Sequence, residues 1–381
     1  VTTTSDSTSP AGPGRLGDPA ATLATDPRAH VPLRDQLTAF GLGEAAAAAP
    51  LGREAGHDEI LGFVTAAEEG FEGLYAAISA SEAAGEGTTR SEVVIRGRGG
   101  HDIPLYVFRP LDSDPSTPLP AVIYIHGGGM TILLAANGVH TRWCEDLART
   151  GLVVIAVDYR NAAGARGPFP FPAGLEDCCD ALAWVDEHRD ELGVAGITLQ
   201  GESGGANLCL ATTLSAKRAG TLEAIDGVYA MVPYISGGYG WPEERRLAEL
   251  PSLVENDGWF IDCSTLDLLV AAYDPADSER ENPLAWPYFA TVEDLRGLPP
   301  HVISVNELDP LRDEGVAYFR RLQEAGVPAT GRVNLGFVHA ADLIFKTAVG
   351  DAYDSVVADI SRFARRVSGQ PRAGDSPAVV D

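Results

Sequence analysis

Gly201-Glu202-Ser203-Gly204-Gly205 reads as G-x-S-x-G between a short apolar stretch, Ile197-Thr198-Leu199-Gln200, and a helix-forming run carrying Leu208, Leu210, Ala211 and Leu214. A strand that turns at once into a helix needs a sharp corner. Glycines flank that corner because a β-carbon there would collide with the neighbouring strand and helix. The serine at its apex is predicted to present its hydroxyl at the end of a sheet. Five residues alone also suit an ordinary helix N-cap, so the assignment depends on what surrounds them.

Working outward, Glu92 to Arg98 and Ile103 to Arg109 flank Gly99-Gly100 as a predicted hairpin. Ala121 to Ile125 and Val153 to Asp158 are nearly continuous apolar runs, which implies strands buried on both faces. Helical stretches near His140 to Arg149, Pro172 to Leu192, Gly204 to Ala219, Asp313 to Ala325 and Asp351 to Arg366 alternate with strands at 197–200, 227–232, 301–305 and 329–334. This is an α/β pattern with a mostly parallel central sheet covered by helices. Before it, Ile60, Phe63, Val64, Ala67, Phe71, Leu74, Tyr75 and Ile78 recur at helical spacing, giving an apolar face for the core or for a lid over a pocket. Residues 237–290 interrupt the alternation with Trp241, Trp259, Tyr273, Trp286 and Tyr288, a longer insertion than a connector needs. Gly12, Gly14 and Gly17 match G-x-G-x-x-G, but no strand precedes them, so a dinucleotide site is not expected.

A second glycine-rich motif, His126-Gly127-Gly128-Gly129, follows the strand ending at Ile125. Three glycines destabilise any regular element, so their place at a strand end suggests a backbone that approaches a ligand closely. Amide N–H groups there would stabilise the oxyanion of a tetrahedral intermediate. An activated serine also needs a general base oriented by an acid, in the order Ser, Asp or Glu, His for this topology. Two histidines follow Ser203. His301 begins a strand and suits a structural role, whereas His339 falls in a loop after the last strand, where a base must hang. The loop 306–314 offers Glu307, Asp309, Asp313 and Glu314 as acids. Asp309 is favoured because Pro310 fixes the chain directly after it, with Asp313 as the alternative; Asp313 and Glu314 are placed to begin the next helix. His126 and Glu202 read as groups that hold the oxyanion loop and the elbow, not as proton carriers.

The set His126-Gly-Gly-Gly, Asp158-Tyr159-Arg160, Phe171-Pro172-Ala173 with Glu176-Asp177, Gly201-Glu-Ser-Gly-Gly205, Asp309-Pro-Leu-Arg-Asp313-Glu-Gly315 and His339 resembles the hormone-sensitive-lipase-like esterases over about residues 90–367. The resemblance implies an α/β-hydrolase fold with a helical cap. It implies Ser203 as nucleophile, His339 as base, Asp309 as its partner, and the N–H groups of Gly128, Gly129 and Gly204 as the oxyanion hole. It points to a serine carboxylesterase acting through an acyl-enzyme on small-molecule esters or lactones, including those of bulky alcohols. Amide or carbamate hydrolysis on the same triad, or a binding-only receptor, are the rival readings. The expected division is a loose N-terminal arm over 1–30, N-terminal helices contributing to the cap over 31–90, a catalytic domain over 91–236 and 291–368, a cap insertion over 237–290, and a tail over 369–381. Two departures stand out: the family often follows Tyr-Arg with Leu-Ala-Pro-Glu where this chain has Asn161-Ala162-Ala163-Gly164, and its usual glycine after the histidine is Ala340.

Composition narrows the partners. The 381 residues can bury a large core, and a net charge of -26 repels phosphate backbones and anionic lipid, so nucleic acid and membrane are not expected partners. No apolar run approaches the roughly 20 residues that span a bilayer, and no stretch reads as a signal peptide. The five cysteines, Cys144, Cys178, Cys179, Cys209 and Cys263, lack metal-ligand spacing, and since a triad and backbone donors suffice for acyl transfer no metal or organic cofactor is implied. Reduced thiols suggest a cytoplasmic protein.

Overall fold

The computed structural model describes residues 12–80, 86–114 and 117–369. Among the described residues eight strands form one sheet: β1 (Thr88–Arg96), β2 (Asp102–Pro110), β3 (Leu119–Ile125), β4 (Val153–Val157), β5 (Val194–Glu202), β6 (Gly227–Met231), β7 (His301–Asn306) and β8 (Ala329–Asn334). Their order is β1-β2-β4-β3-β5-β6-β7-β8. The hairpin β1–β2 and the pair β2–β4 are antiparallel, and the remaining pairs are parallel. Runs such as Val153–Val157 are apolar throughout because β3 to β7 are covered on both faces.

Helices of eight or more residues are numbered α1 (Val31–Ala39), α2 (His57–Ala80), α3 (Gly138–Arg149), α4 (Ala173–Glu187), α5 (Gly204–Ala219), α6 (Cys263–Tyr273), α7 (Arg312–Glu324) and α8 (Lys346–Val367). Around the sheet, α4 packs on α5, and α8 packs on α3. Helix α5 begins directly at the end of β5 and stops at Gly220, whose φ of 75° is cheap for a residue without a β-carbon. The 31–80 stretch is two helices joined by non-helical chain. Along α2, Ile60, Val64 and Tyr75 are buried, as the periodicity requires. Among the described residues no helix is long and apolar enough to cross a membrane.

The N-terminal stretch departs from the expected loose arm. Residues 1–11 lie outside the described residues, as do 370–381 of the expected tail. Residues 12–30, however, are bonded to the body. Arg15 donates to the carbonyl of Asp257 at 2.7 Å, Arg28 pairs with Asp26 and Glu255, and the ring of His30 meets Phe337 edge-on. Low apolar content made these residues read as unanchored, but Leu23 is fully buried and fixed polar contacts with the 237–290 insertion do the rest.

Candidate active site

Ser203 sits between β5 and α5 with φ 56° and ψ -121°, a sparsely populated positive-φ conformation that costs a residue with a β-carbon about 1–3 kcal/mol. Its neighbours show why the corner holds. A β-carbon at Gly201 would lie 2.5 Å from the carbonyl oxygen of Ile125, and one at Gly205 would lie 1.9 Å from the same atom. At Gly204 it would meet the backbone nitrogens of Met130 and Gly129 at 2.6 and 2.7 Å. The elbow is thus pressed against the end of β3 and the glycine loop that follows it.

That loop is held from several sides. Glu202 Oε1 accepts the N–H of Gly127 at 2.7 Å and the hydroxyl of Tyr124 at 3.0 Å. Tyr159 donates its hydroxyl to the carbonyl of His126 at 2.8 Å, and its ring stacks on the His126 ring with centroids 4.3 Å apart. His126 is fully buried with Nδ1 2.8 Å from its neighbour's carbonyl; burial, reinforced by His140, holds the ring well below its usual pKa. It therefore stays neutral and structural. Gly128 and Gly129 have φ of 101° and 61°.

His339 Nδ1 lies 2.8 Å from Asp309 Oδ2, and Asp309 is fully buried. Asp313 is turned elsewhere: it accepts the N–H of Ser252 at 2.7 Å and Nε of Arg312 at 2.9 Å. Asp313 and Glu314 lie in the first turn of α7, as expected, and Glu314 has a further set of contacts. Its carboxyl points inward, accepting from Ile235 N, Ser236 N and the Tyr239 hydroxyl, and burial pushes its pKa up to about 8. His301 is also buried, with Nδ1 2.7 Å from the Pro299 carbonyl, and burial lowers it to about 4.

The loop bearing His339 is anchored at both flanks. Asn306 Nδ2 donates to the Val338 carbonyl at 2.8 Å and to Asp342 at 3.1 Å, while Leu308 N donates to Phe337 O at 2.9 Å. Ala340, where a glycine was expected, takes φ 51°, which accounts for the preference for glycine there. The Asn161-Ala162-Ala163-Gly164 departure is well packed: Ala162 N and Ala163 N donate to the carbonyls of Met130 and Thr131 at 3.0 and 2.9 Å.

Ser203, His339 and Gly127 to Gly129 share one cavity of about 440 Å³. Its walls are mostly apolar, with Phe63, Phe71, Leu74 and Tyr75 from α2, Phe260, Ile261, Leu266 and Leu269 from the insertion, and Phe40 and Leu42 after α1. The large aromatics singled out in the sequence divide here. Phe63, Phe71 and Tyr75 line this cavity, Trp241 and Trp286 line a separate one, and Trp259 is buried beside Arg28. Phe40, Phe260 and Leu269 carried no sequence signal beyond being apolar; Leu269 is recognised only by its side chain standing where a β-carbon on Gly129 would project.

Comparison with known proteins identifies the fold and its relatives. Residues 122–343 match the model of a family described as alpha/beta hydrolase fold. An ethyl acetate hydrolase of Pseudomonas putida is 30% identical over 254 residues, covering 65% of this chain and 74% of that protein. A carboxylesterase of Mycobacterium tuberculosis is 34% identical over 235 residues, 59% of this chain and 67% of the relative. Among solved structures, a brefeldin A esterase, described as a bacterial homologue of human hormone-sensitive lipase, superposes with a TM-score of 0.90 at 52% identity over 94% of this chain and 99% of that one. Esterase Est22, solved with p-nitrophenol, gives 0.77 at 35% identity over 90% and 99%. With the eight-stranded sheet and these relatives together, the chain belongs to the hormone-sensitive-lipase-like esterases of the α/β-hydrolase fold and is a carboxylesterase.

Proposed function

We propose that Ser203 is the nucleophile, His339 its general base and Asp309 the group that orients the base. In this reading Ser203 Oγ attacks the ester carbonyl as His339 takes its proton, and the N–H groups of Gly128, Gly129 and Gly204 receive the oxyanion. His339 then protonates the departing alcohol, and water repeats the cycle on the acyl-enzyme. The observation that carries it is the 2.8 Å contact between His339 Nδ1 and Asp309 Oδ2 in a histidine that lines the same cavity as Ser203. Stoichiometric labelling of Ser203 by an organophosphonate checks it. A well-folded protein that resists labelling would count against an activated serine.

The substrate is proposed to be an ester or lactone whose alcohol part is bulky, of the kind the name brefeldin A esterase implies for its bearer. Support comes from the 52% identity with that protein and from a mostly apolar cavity of about 440 Å³, within the range that holds whole small molecules. The helices of residues 31–80 and the 237–290 insertion act in this reading as a cap over Ser203. Acetates of primary, secondary, tertiary and macrocyclic alcohols, compared by kcat/KM, test the preference. Activity confined to simple primary alcohols together with acceptance of long acyl chains would contradict it.

A further inference from the structure

Beyond its glycines, the loop after β3 contains two residues with side chains, Met130 and Leu133, at φ 59° and 75°. Such conformations persist only where the surroundings over-determine them. Part of that determination comes from α2. Leu133 N donates to Glu68 Oε1 at 2.7 Å, and Ala165 N donates to Glu68 Oε2 at 2.8 Å. Gly164 leaves the space for this, since a β-carbon there would lie 2.5 Å from Oε2. Glu68 is 6% exposed, on a helix whose other residues are mostly small or apolar along this face, and it faces into the body one to two turns from Phe71 and Tyr75 of the cavity wall.

We infer that Glu68 is a positioning residue for the oxyanion hole: its two carboxylate oxygens clamp the loop 128–133 against the loop 161–165 and tie both to the helix that lines the cavity. The inference rests on the reading that the Gly128 and Gly129 amides receive the oxyanion. A carboxylate suits the task because each oxygen accepts one backbone N–H. Glutamine keeps one acceptor and sets an NH2 group against the other N–H. Without the clamp, Leu133 relaxes toward negative φ and, through the N–H of Ile132 on the Gly128 carbonyl, shifts the neighbouring amides. Misplacing a catalytic group by about 1 Å costs on the order of 10²-fold. The clamp acts chiefly through the amides that receive the transition-state charge, so the larger effect is expected in kcat and the smaller in KM.

The test uses the full chain with Glu68→Gln and Glu68→Ala, assayed with an aryl acetate and with an aryl trifluoromethyl ketone, which forms a tetrahedral oxyanion adduct. Near-UV circular dichroism gives the folded fraction. Glu68→Gln is expected to lower kcat about tenfold to 10²-fold per folded molecule, with KM within about twofold and ketone affinity weakened in step with kcat/KM. If Glu68→Ala does not fold, the near-isosteric Gln variant carries the result. Normal kcat and ketone affinity in Glu68→Gln, or a loss of kcat that merely follows the folded fraction, would overturn the inference. Ser203→Ala is run alongside. If it is inactive while Glu68→Gln is normal, the inference alone fails; if it turns over, the reading beneath fails and takes the inference with it.

Discussion

At Ser203 the chain accepts a strained backbone so that one hydroxyl stands clear at the end of the sheet, and the glycines around it are the condition for that. Gly205→Ala would place a β-carbon 1.9 Å from the Ile125 carbonyl, a contact with backbone on both sides. A loss of about 3 kcal/mol or more in unfolding free energy, read by denaturant titration, is expected. The acid separates in the same way. Asp309→Asn leaves the site's shape but removes the charge facing His339, and kcat should fall about 10⁴-fold. Asp313→Asn weakens only the contacts to Ser252 and Arg312, so it should cost about 1 kcal/mol of stability with kcat largely kept. Equal losses of kcat in the two variants would contradict this division. Both motifs were legible because steric and electrostatic demands fall on consecutive residues. Glu68 was not, because its partners Leu133 and Ala165 are 65 and 97 positions away and donate only backbone N–H groups.

Among the elements, β-strands and helices of the α/β body follow their sequence periodicity closely, since each must bury one face or both in a core that the chain itself supplies. The cavity wall is less legible. Aromatic residues looked equivalent in sequence, yet Trp259 is fully buried beside Arg28, and Trp241 stacks under Arg245 on another cavity. Which aromatic faces the substrate depends on how the insertion crosses α2, and no local pattern encodes that crossing. Phe71, in edge contact with Phe260 at 6.4 Å, belongs to the wall. Phe71→Ala should lower kcat/KM for a bulky-alcohol acetate about tenfold, close to 1.4 kcal/mol, and affect ethyl acetate less. Trp241→Ala should leave both substrates within about twofold. Matched kinetics on the two esters decide between them, and an equal effect of the two variants would remove Phe71 from the wall.

For the molecule as a whole, 54 acidic against 28 basic side chains leave a net charge of -26, and stability is expected to respond to pH through buried groups more than through this surface. His301 is fully buried, and its folded-state pKa of about 4 lies below the 6.5 of an exposed imidazole. The unfolded chain therefore takes up this proton first, so the contribution of His301 to stability falls as pH drops from about 6.5 toward about 4, by about 3 kcal/mol. Because Glu314, held at about 8 by burial, gains stability over the same range, the His301 contribution is read as the difference in unfolding free energy between the parent and a folded His301→Gln variant from pH 7 to pH 4, which should narrow as pH falls. A difference that stays constant with pH would place the acid sensitivity elsewhere.

The central claim is that the reaction passes through an acyl group on Ser203. Rapid acid quench after mixing with a p-nitrophenyl ester, followed by intact-protein and peptide mass spectrometry, addresses it directly. One added acyl group is predicted on the peptide containing Ser203, absent from a folded Ser203→Ala variant that no longer hydrolyses the ester. An acyl adduct on another residue, or substantial turnover by that folded variant, would contradict the account.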